Sequence, residues 1–350
     1  MAPSTRSEAV GIAVPLDEAR RRSTSTFAKT VLAEAIGESN PEAAAAVLAE
    51  SEWRSGYHKH FVAATEAGIA SPTEARGIAS RGLAAVSESM RYVREGHERS
   101  LAEVMSSEAT NPPFDTHTIP GRSGPLPRFT IPYRGIDLGD DDLRGQLERW
   151  VAGGVIEVSA AAALEEVLDN PDWLDLSDLT FVVMGAGAEL GPYPALMGLG
   201  ATVAAIDLPV ERIWDRLMAR AGGRSALLCP TRDGFPGADL TTDLPEIRDW
   251  INTIEGPIVL GGYAYADGEA HLRVSAAQDA LIADAFSNRT VGSVTVAHLL
   301  TPTDCYAVSE HTAEASRRAW ARRPRSLRIA QGAARTVSGG RLFHQAITDC

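Results

Sequence analysis

The chain contains only two lysines, Lys29 and Lys59, among its 33 basic residues. Positive charge is carried almost wholly by arginine, and it is the minority sign. Against 46 Asp and Glu it leaves a formal net charge of −13 over 350 residues. Such a balance argues against bulk nucleic acid or an anionic membrane as the main partner. It does not exclude small anionic ligands, which local groups can hold. Cysteine is scarce as well. Cys229, Cys305 and Cys350 are far apart, odd in number and outside any CxxC or Cys/His cluster. Neither a disulfide framework nor a metal site is indicated. Long apolar runs are missing: no stretch approaches the roughly 18 residues of a membrane span. The polar residues Met1 to Ser23 lack the apolar core of a secretory signal. A cytoplasmic protein is expected. What is present is a 44% hydrophobic, 23% charged composition, enough to bury one large or two medium domains.

The pattern along the chain divides into four parts. Residues 1–23 read as a mobile tail ending in the basic run Arg20–Arg22. Residues 24–109 read as a helical subdomain, with Ser39-Asn40-Pro41-Glu42 and Ser71-Pro72-Thr73-Glu74 as capped helix starts. The segment Ala75–Met105 carries Ile78, Leu83, Val86, Met90 and Val93 at helical intervals. Residues 110–139 hold six prolines (112, 113, 120, 125, 127 and 132) and read as a linker or an extended arm. Residues 140–350 form the last part. It opens with two helical patterns, Asp140–Ala152 and Ser159–Leu168. Short apolar runs follow at Phe181–Met184, Thr202–Ile206, Ala226–Cys229, Ile258–Leu260 and Val294–Leu300. Helical stretches separate them at Pro192–Leu199, Val210–Ala221, Leu244–Ile254 and Ser275–Phe286. This alternation predicts an α/β fold: a doubly wound, Rossmann-like parallel sheet, preceded by the all-helical subdomain.

One motif carries the functional reading. The first apolar run leads into Gly185-Ala-Gly187-Ala-Glu189-Leu190-Gly191-Pro192, and the second run ends in Asp207. Gly185 allows a tight turn at the end of a strand. Gly187 lets backbone approach a phosphate without a β-carbon in the way. A helix starting near Gly191 would favour an anion at its N-terminus. Asp207 follows Gly185 by 22 residues, near the roughly 20-residue offset of a ribose-binding acid. A carboxylate there accepts hydrogen bonds from a ribose diol and repels a 2′-phosphate, so the expected cofactor is NAD(H).

Three segments together resemble the cofactor half of the short-chain dehydrogenase/reductase superfamily: Gly185 to Asp207, Gly237-Ala-Asp239-Leu240, and Gly256-Pro-Ile-Val-Leu-Gly261-Gly262. The likeness spans residues 179–305, about a third of the chain. It implies that Asp239 lies near the adenine and that Gly261-Gly262 lines the cofactor. The glycine spacing, with Gly198-Leu-Gly200-Ala201, also resembles the turn of alanine-dehydrogenase-like Rossmann domains. The chain departs from the superfamily in two places. Glu189 stands where the glycine pattern calls for Gly, and no Tyr is followed four residues later by Lys. The cofactor set is then Gly185, Gly187, Glu189, Leu190, Gly191, Asp207, Leu208, Asp239, Leu240, Gly261, Gly262 and Thr301.

Catalytic candidates follow from the rule that ligands sit beyond the carboxyl ends of the strands. Tyr263 and Tyr306 could donate a proton if their pKa values were lowered; the alternative is a packed ring with a solvated hydroxyl. His271 could serve as a general base or be a surface residue. Thr301-Pro-Thr303-Asp304 could hold a substrate or cap a helix. His58 and His60 are two residues apart, a spacing that turns them to different sides of a helix and disfavours a metal site. The stretch Arg317–Arg341 has eight arginines and no acid. It reads as a solvated helix face, a contact with an acidic subunit in a homo-oligomer, or a counter-charge for an anionic substrate. The expectation is an NAD(H)-dependent oxidoreductase acting on a small carbonyl or alcohol, with no nucleic-acid or membrane partner. An S-adenosylmethionine-dependent methyltransferase and a non-catalytic nucleotide sensor or scaffold are the alternatives.

Overall fold

The computed structural model describes residues 10–122, 124–298 and 305–339. Thr301, Thr303 and Asp304 lie outside the described residues. The chain divides into two compact units, Met1–Thr24 with Val86–Leu300, and Ser25–Ala85 with Thr301–Cys350. In chain order the described elements begin with β1 (Gly11–Ala13), α1 (Thr24–Ile36), α2 (Pro41–Ala49), α3 (Trp53–Ile69) and α4 (Pro72–Ser89). Then come β2 (Arg91–Arg94), β3 (His97–Ser100), α5 (Leu101–Met105), β4 (Asp115–Ile119), β5 (Ile131–Tyr133), β6 (Ile136–Leu138), α6 (Asp140–Ala152) and α7 (Val158–Asp169). The α/β part contains β7 (Thr180–Met184), α8 (Tyr193–Leu196), β8 (Thr202–Ile206), α9 (Glu211–Met218), β9 (Ala226–Arg232) and β10 (Phe235–Pro236). It continues with α10 (Leu244–Asn252), β11 (Ile258–Gly262), α11 (Glu269–Asn288) and β12 (Val294–Val296). Helices α12 (Glu310–Ala321) and α13 (Arg325–Val337) close the described chain.

The first unit is α/β, built on a mixed seven-stranded sheet that is mostly parallel. Its parallel strands lie in the order β9-β8-β7-β11-β12. Counted along the chain this is 3-2-1-4-5. Side chains alternate between two covered faces, as a parallel sheet requires. Val183, Val203, Ala205, Leu227 and Cys229 pack with Tyr193, Leu196, Trp214 and Leu217 of α8 and α9. Their neighbours Val182, Met184, Ala204 and Ile206 point to the other face and are also fully buried. Two antiparallel strands complete the sheet. β10 folds back on β9, and β4, from the proline-rich segment, pairs with β9 from Asp115↔Thr231 to Ile119↔Leu227.

Several segments differ from the sequence reading. Residues 11–13, placed in a tail, form β1 of a second, antiparallel sheet ordered β1-β2-β3. Ile12 and Val14 are fully buried, and Ile12 N–H donates to the Thr241 carbonyl at 2.8 Å. The helical pattern expected through Met105 stops at Ser89, because Glu95 and Gly96 adopt φ of 53° and 77° and turn a hairpin. Two positive φ values at the centre of a two-residue loop give the turn that matches strand twist. Arg134-Gly135 and Asp233-Gly234 make the same turn between β5 and β6 and between β9 and β10. Helix α8 is one turn long, where a helix over Pro192–Leu199 was expected. β12 ends at Val296, and Leu299 and Leu300 of the expected run lie outside the described residues.

The second unit is helical in its described residues. Asn40 and Ser71 cap α2 and α4 by accepting from Ala43 and Glu74 N–H at 2.9 and 3.1 Å. Leu32, Ile36, Ala44 and Val47 form its core, with Trp53, Phe61 and Ile78 packed against them. Glu50 accepts from Lys59 at 2.6 Å, from Glu52 N–H at 2.8 Å and from His60 at 3.3 Å. The Lys59 bond, then the Glu52 N–H, hold the carboxyl down at about 2, against an ordinary 4.5. Helices α12 and α13 bury no residue among those described.

A buried ion pair ties the three-stranded sheet to α10. Glu246 is fully buried and accepts from Arg94 Nη1 at 2.5 Å, from Arg94 Nη2 at 3.0 Å and from Asn111 N–H at 3.2 Å. The Tyr92 hydroxyl donates to the Thr242 carbonyl, which also accepts from Arg94 at 2.6 Å. Breaking such a pair strands a charge, whereas replacing both partners by apolar groups removes the cost. Glu246→Ala is expected to destabilise the protein by about 3 kcal/mol in urea denaturation, and Glu246→Leu with Arg94→Met to recover most of that loss. For Glu50 the fold-lowered pKa supplies stability that is full above pH 4.5 and is lost as pH falls toward 2. Glu50→Gln should flatten the acid limb of the thermal midpoint across that window.

Candidate functional site

Strand order reverses between β7 and β11, which are neighbours although β8, β9 and β10 come between them in sequence. Their carboxyl ends therefore open where ligands sit in open α/β sheets. The Met184 carbonyl, last in β7, accepts from Tyr263 and Ala264 N–H at 2.7 and 2.9 Å. The Ile206 carbonyl, last in β8, accepts from Gly185 and Ala186 N–H at 2.8 and 3.2 Å. Gly185 has φ of +88°, and a Cβ on it would lie 2.3 Å from Ala264 N. Only glycine fits there.

The turn then bends onto Asp207. Gly187 N–H donates to Asp207 Oδ2 at 2.7 Å and Leu208 N–H to Oδ1 at 2.8 Å. Ala188 N–H donates to the Gly185 carbonyl and Gly191 N–H to that of Ala188. Among the described residues this leaves Glu189 and Leu190 N–H without an acceptor. The sequence reading expected donors aimed at a phosphate from the start of a helix. The bend before the helix uses most of its own donors; the Tyr193 and Ala195 N–H groups that open α8 have no acceptor among the described residues, but one turn of helix supplies little dipole. Each Asp207 oxygen keeps acceptor capacity beyond its one bond.

The structure brings Gly185, Gly187, Glu189, Leu190, Gly191, Asp207 and Leu208 around one bend. Ala238 N–H donates to the Asp207 carbonyl at 2.8 Å, which places Asp239 and Leu240 beside it. The Asp239 carboxylate accepts from Thr241 N–H and Oγ1 at 2.8 and 2.7 Å, and Leu240 is buried. Gly261 and Gly262 end β11 and pair with Val183 and Met184 of β7, just before the bend. A Cβ on Gly261 would meet the Tyr263 ring at 2.3 Å, and one on Gly262 would meet Gln278 Oε1 at 2.0 Å.

Of the catalytic candidates, Tyr263 borders the bend through its backbone. Tyr263 donates its hydroxyl to the Ala297 carbonyl at 2.6 Å, and burial pushes its pKa up. A lowered pKa was the condition for an acid role, so the direction is opposite to that expected. His271 is exposed in the first turn of α11, its ring 4.9 Å from that of Tyr265. Tyr306 is exposed and belongs to the second unit, as do His58 and His60; His60 stacks on Trp53 at 5.8 Å and faces Glu50. Thr301 is outside the described residues.

Two features escaped the sequence reading. His298 follows β12 and holds Nδ1 3.3 Å from both the N and the O of Gly262. The carboxyl-end rule would have selected it, but the expected strand ran past it to Leu300. Arg216 and Arg220, from α9 and the turn after it, line a cleft of about 130 Å³ against Gly187 and Tyr193. Their spacing of four within the helix expected over Val210–Ala221 is the sequence signal, although α9 itself ends at Met218.

No protein-family profile, no curated protein and no solved structure matches the chain. No helix among the described residues is long and apolar enough to cross a membrane.

Beneath the bend, Tyr193 donates its hydroxyl to the Leu217 carbonyl at 2.8 Å, and Cys229 is fully buried. Burial raises Tyr193 to about 12 and Cys229 to about 11. Both are raised in the fold, so their contribution is full below the unfolded pKa and is lost as pH climbs through the folded one. The thermal midpoint is expected to hold to pH 9 and fall between pH 9 and about 11, a decline that Cys229→Ala should shrink. Peptide mapping after iodoacetamide at pH 8 should find Cys229 unmodified in the folded protein and modified in urea.

Proposed function

We propose that the first unit is a Rossmann-type nucleotide-binding domain and that the chain is an NAD(H)-dependent oxidoreductase for a small carbonyl or alcohol. One observation carries this reading: the 3-2-1-4-5 parallel order sets the Gly185–Gly191 bend and Asp207 side by side at the reversal point. The order agrees with the first five strands of the six-stranded dinucleotide-binding arrangement, which supports the reading. Asp207 fits a ribose diol, because its oxygens are fixed by two N–H groups and retain lone pairs. The exposed Leu208 follows that carboxylate in sequence and the exposed Leu190 belongs to the bend, and both offer apolar surface to a base. When bound, the nicotinamide supplies or accepts hydride. His298, rather than Tyr263, is placed to exchange a proton with a substrate oxygen, at the carboxyl ends of β11 and β12.

A specific observation favours a second reading. The bend leaves two backbone donors for a pyrophosphate, and Glu189 carries a negative charge beside them. S-adenosylmethionine has no phosphate and bears positive charge, so the same corner could take it with Asp207 on its ribose.

Parallel calorimetric titration of the full chain with NADH and S-adenosylmethionine separates the two. NADH is expected to bind, and Asp207→Ala to weaken it at least tenfold, with Asp207→Asn between. Tight binding of S-adenosylmethionine alone would replace the dehydrogenase reading. Over a panel of small carbonyls, His298→Ala should lower turnover by about a hundredfold, within the range for a lost acid–base group, while NADH affinity stays within twofold. NADH binding without turnover on any carbonyl points to the sensor.

A further inference from the structure

The cleft lined by Gly187, Tyr193, Arg216 and Arg220 is too small for a nucleotide. Its volume is about 130 Å³, against the roughly 300 Å³ at which drug-sized pockets begin. Neither Arg216 nor Arg220 forms an ion pair among the described residues, although acids outnumber bases overall. Arg216 Nη2 lies 3.5 Å from the Gly187 carbonyl, and the place a Cβ on Gly187 would take is 3.6 Å from that nitrogen. The absence of a side chain at Gly187 thus keeps the cleft open beside the guanidinium. The same Cβ position is 3.1 Å from Asp207 Oδ2 and 2.9 Å from Ile213 Cγ2. The Asp207 carboxylate and the Arg216 guanidinium therefore both border the open face of this one glycine. Glu189 also lines the cleft, so two positive charges face one negative. Asp207 is turned to the N–H groups of Gly187 and Leu208.

We propose that Arg216 and Arg220 build a subsite for a phosphate monoester next to the ribose-binding corner. Guanidinium groups match phosphate oxygens with paired, charge-assisted hydrogen bonds. The bend's N–H donors are mostly used within the protein, so its side chains are what remain to hold an anion. The phosphate has two sources: the 2′-phosphate of NADP(H), a source that rests on the nucleotide reading above, or a separate phosphorylated small molecule. In the first case the arginines reverse the preference for NAD(H) that Asp207 alone suggests.

The test uses the full chain and Arg216→Gln/Arg220→Gln, titrated with NADH, NADPH and inorganic phosphate. Both arginines are exposed, so the variant should unfold within a few degrees of the parent. If the nucleotide supplies the phosphate, the parent binds NADPH at least tenfold more tightly than NADH, and the variant binds the two within twofold. If a separate molecule supplies it, phosphate binds the parent whether or not NADH is saturating, and the variant loses at least tenfold. Phosphate binding lost in the variant supports the subsite even when neither coenzyme binds, and then only the nucleotide reading falls. Arg216→Lys/Arg220→Lys keeps the charge without the forks and should fall between. A parent with no NADPH preference and no phosphate binding overturns the subsite, as do affinities unchanged in the variant.

Discussion

Two backbones meet at Gly185, and the candidate site depends on how closely they do so. The Met184 carbonyl takes N–H groups from the far side of the reversal point, and the Ile206 carbonyl takes those of Gly185 and Ala186. Each carbonyl serves two donors, so the ends of β7, β8 and β11 are locked to one another rather than merely adjacent. A side chain at Gly185 would collide with the Ala264 backbone, which has no flexible end to move aside. The bend, Asp207 and the exit of β11 inherit their positions from this clamp. It is formed by the protein alone, so the corner is pre-organised and a ligand would not have to order it.

The same clamp decides which groups remain for recognition. A glycine turn can bind an anion through free N–H groups, but here most of them are committed internally. Recognition then falls to side chains placed around the bend: a carboxylate and a guanidinium that both border the open face of Gly187, with a second guanidinium lining the same cleft. The split suits a chain that is nearly devoid of lysine, since arginine stays charged and presents a rigid donor fork. Tyr263 shows the opposite outcome. Its ring fills the space that Gly261 leaves open and its hydroxyl donates to a carbonyl of the protein itself.

Much of the α/β order was legible from periodicity. Apolar runs at 181–184, 202–206 and 258–260 each lie in a parallel strand, because strands buried on both faces read as continuous Val, Ile, Leu and Ala. The hairpins left a weaker signal, and they fall in or beside segments whose pattern reads as helix, linker or parallel strand. Glu95-Gly96, Arg134-Gly135 and Asp233-Gly234 each end in the glycine a tight two-residue turn favours. Around Glu95 the helical spacing of apolar residues masked it. Strand β1 carried almost no signal, since three residues become a strand only when β2 and the Thr241 carbonyl are there to pair with them.

By itself the amino-acid sequence determined where backbone could turn and which acid would stand at the end of the second parallel strand. Those are local properties: a glycine's freedom at positive φ and the period of buried residues. Tertiary structure alone decided what each polar group does. Asp207 faces the N–H groups of its own turn, the Tyr263 hydroxyl is occupied, and His298 reaches Gly262 from a different strand. Partners 20, 34 and 36 residues apart are chosen by strand order, and strand order emerges only when the whole sheet assembles.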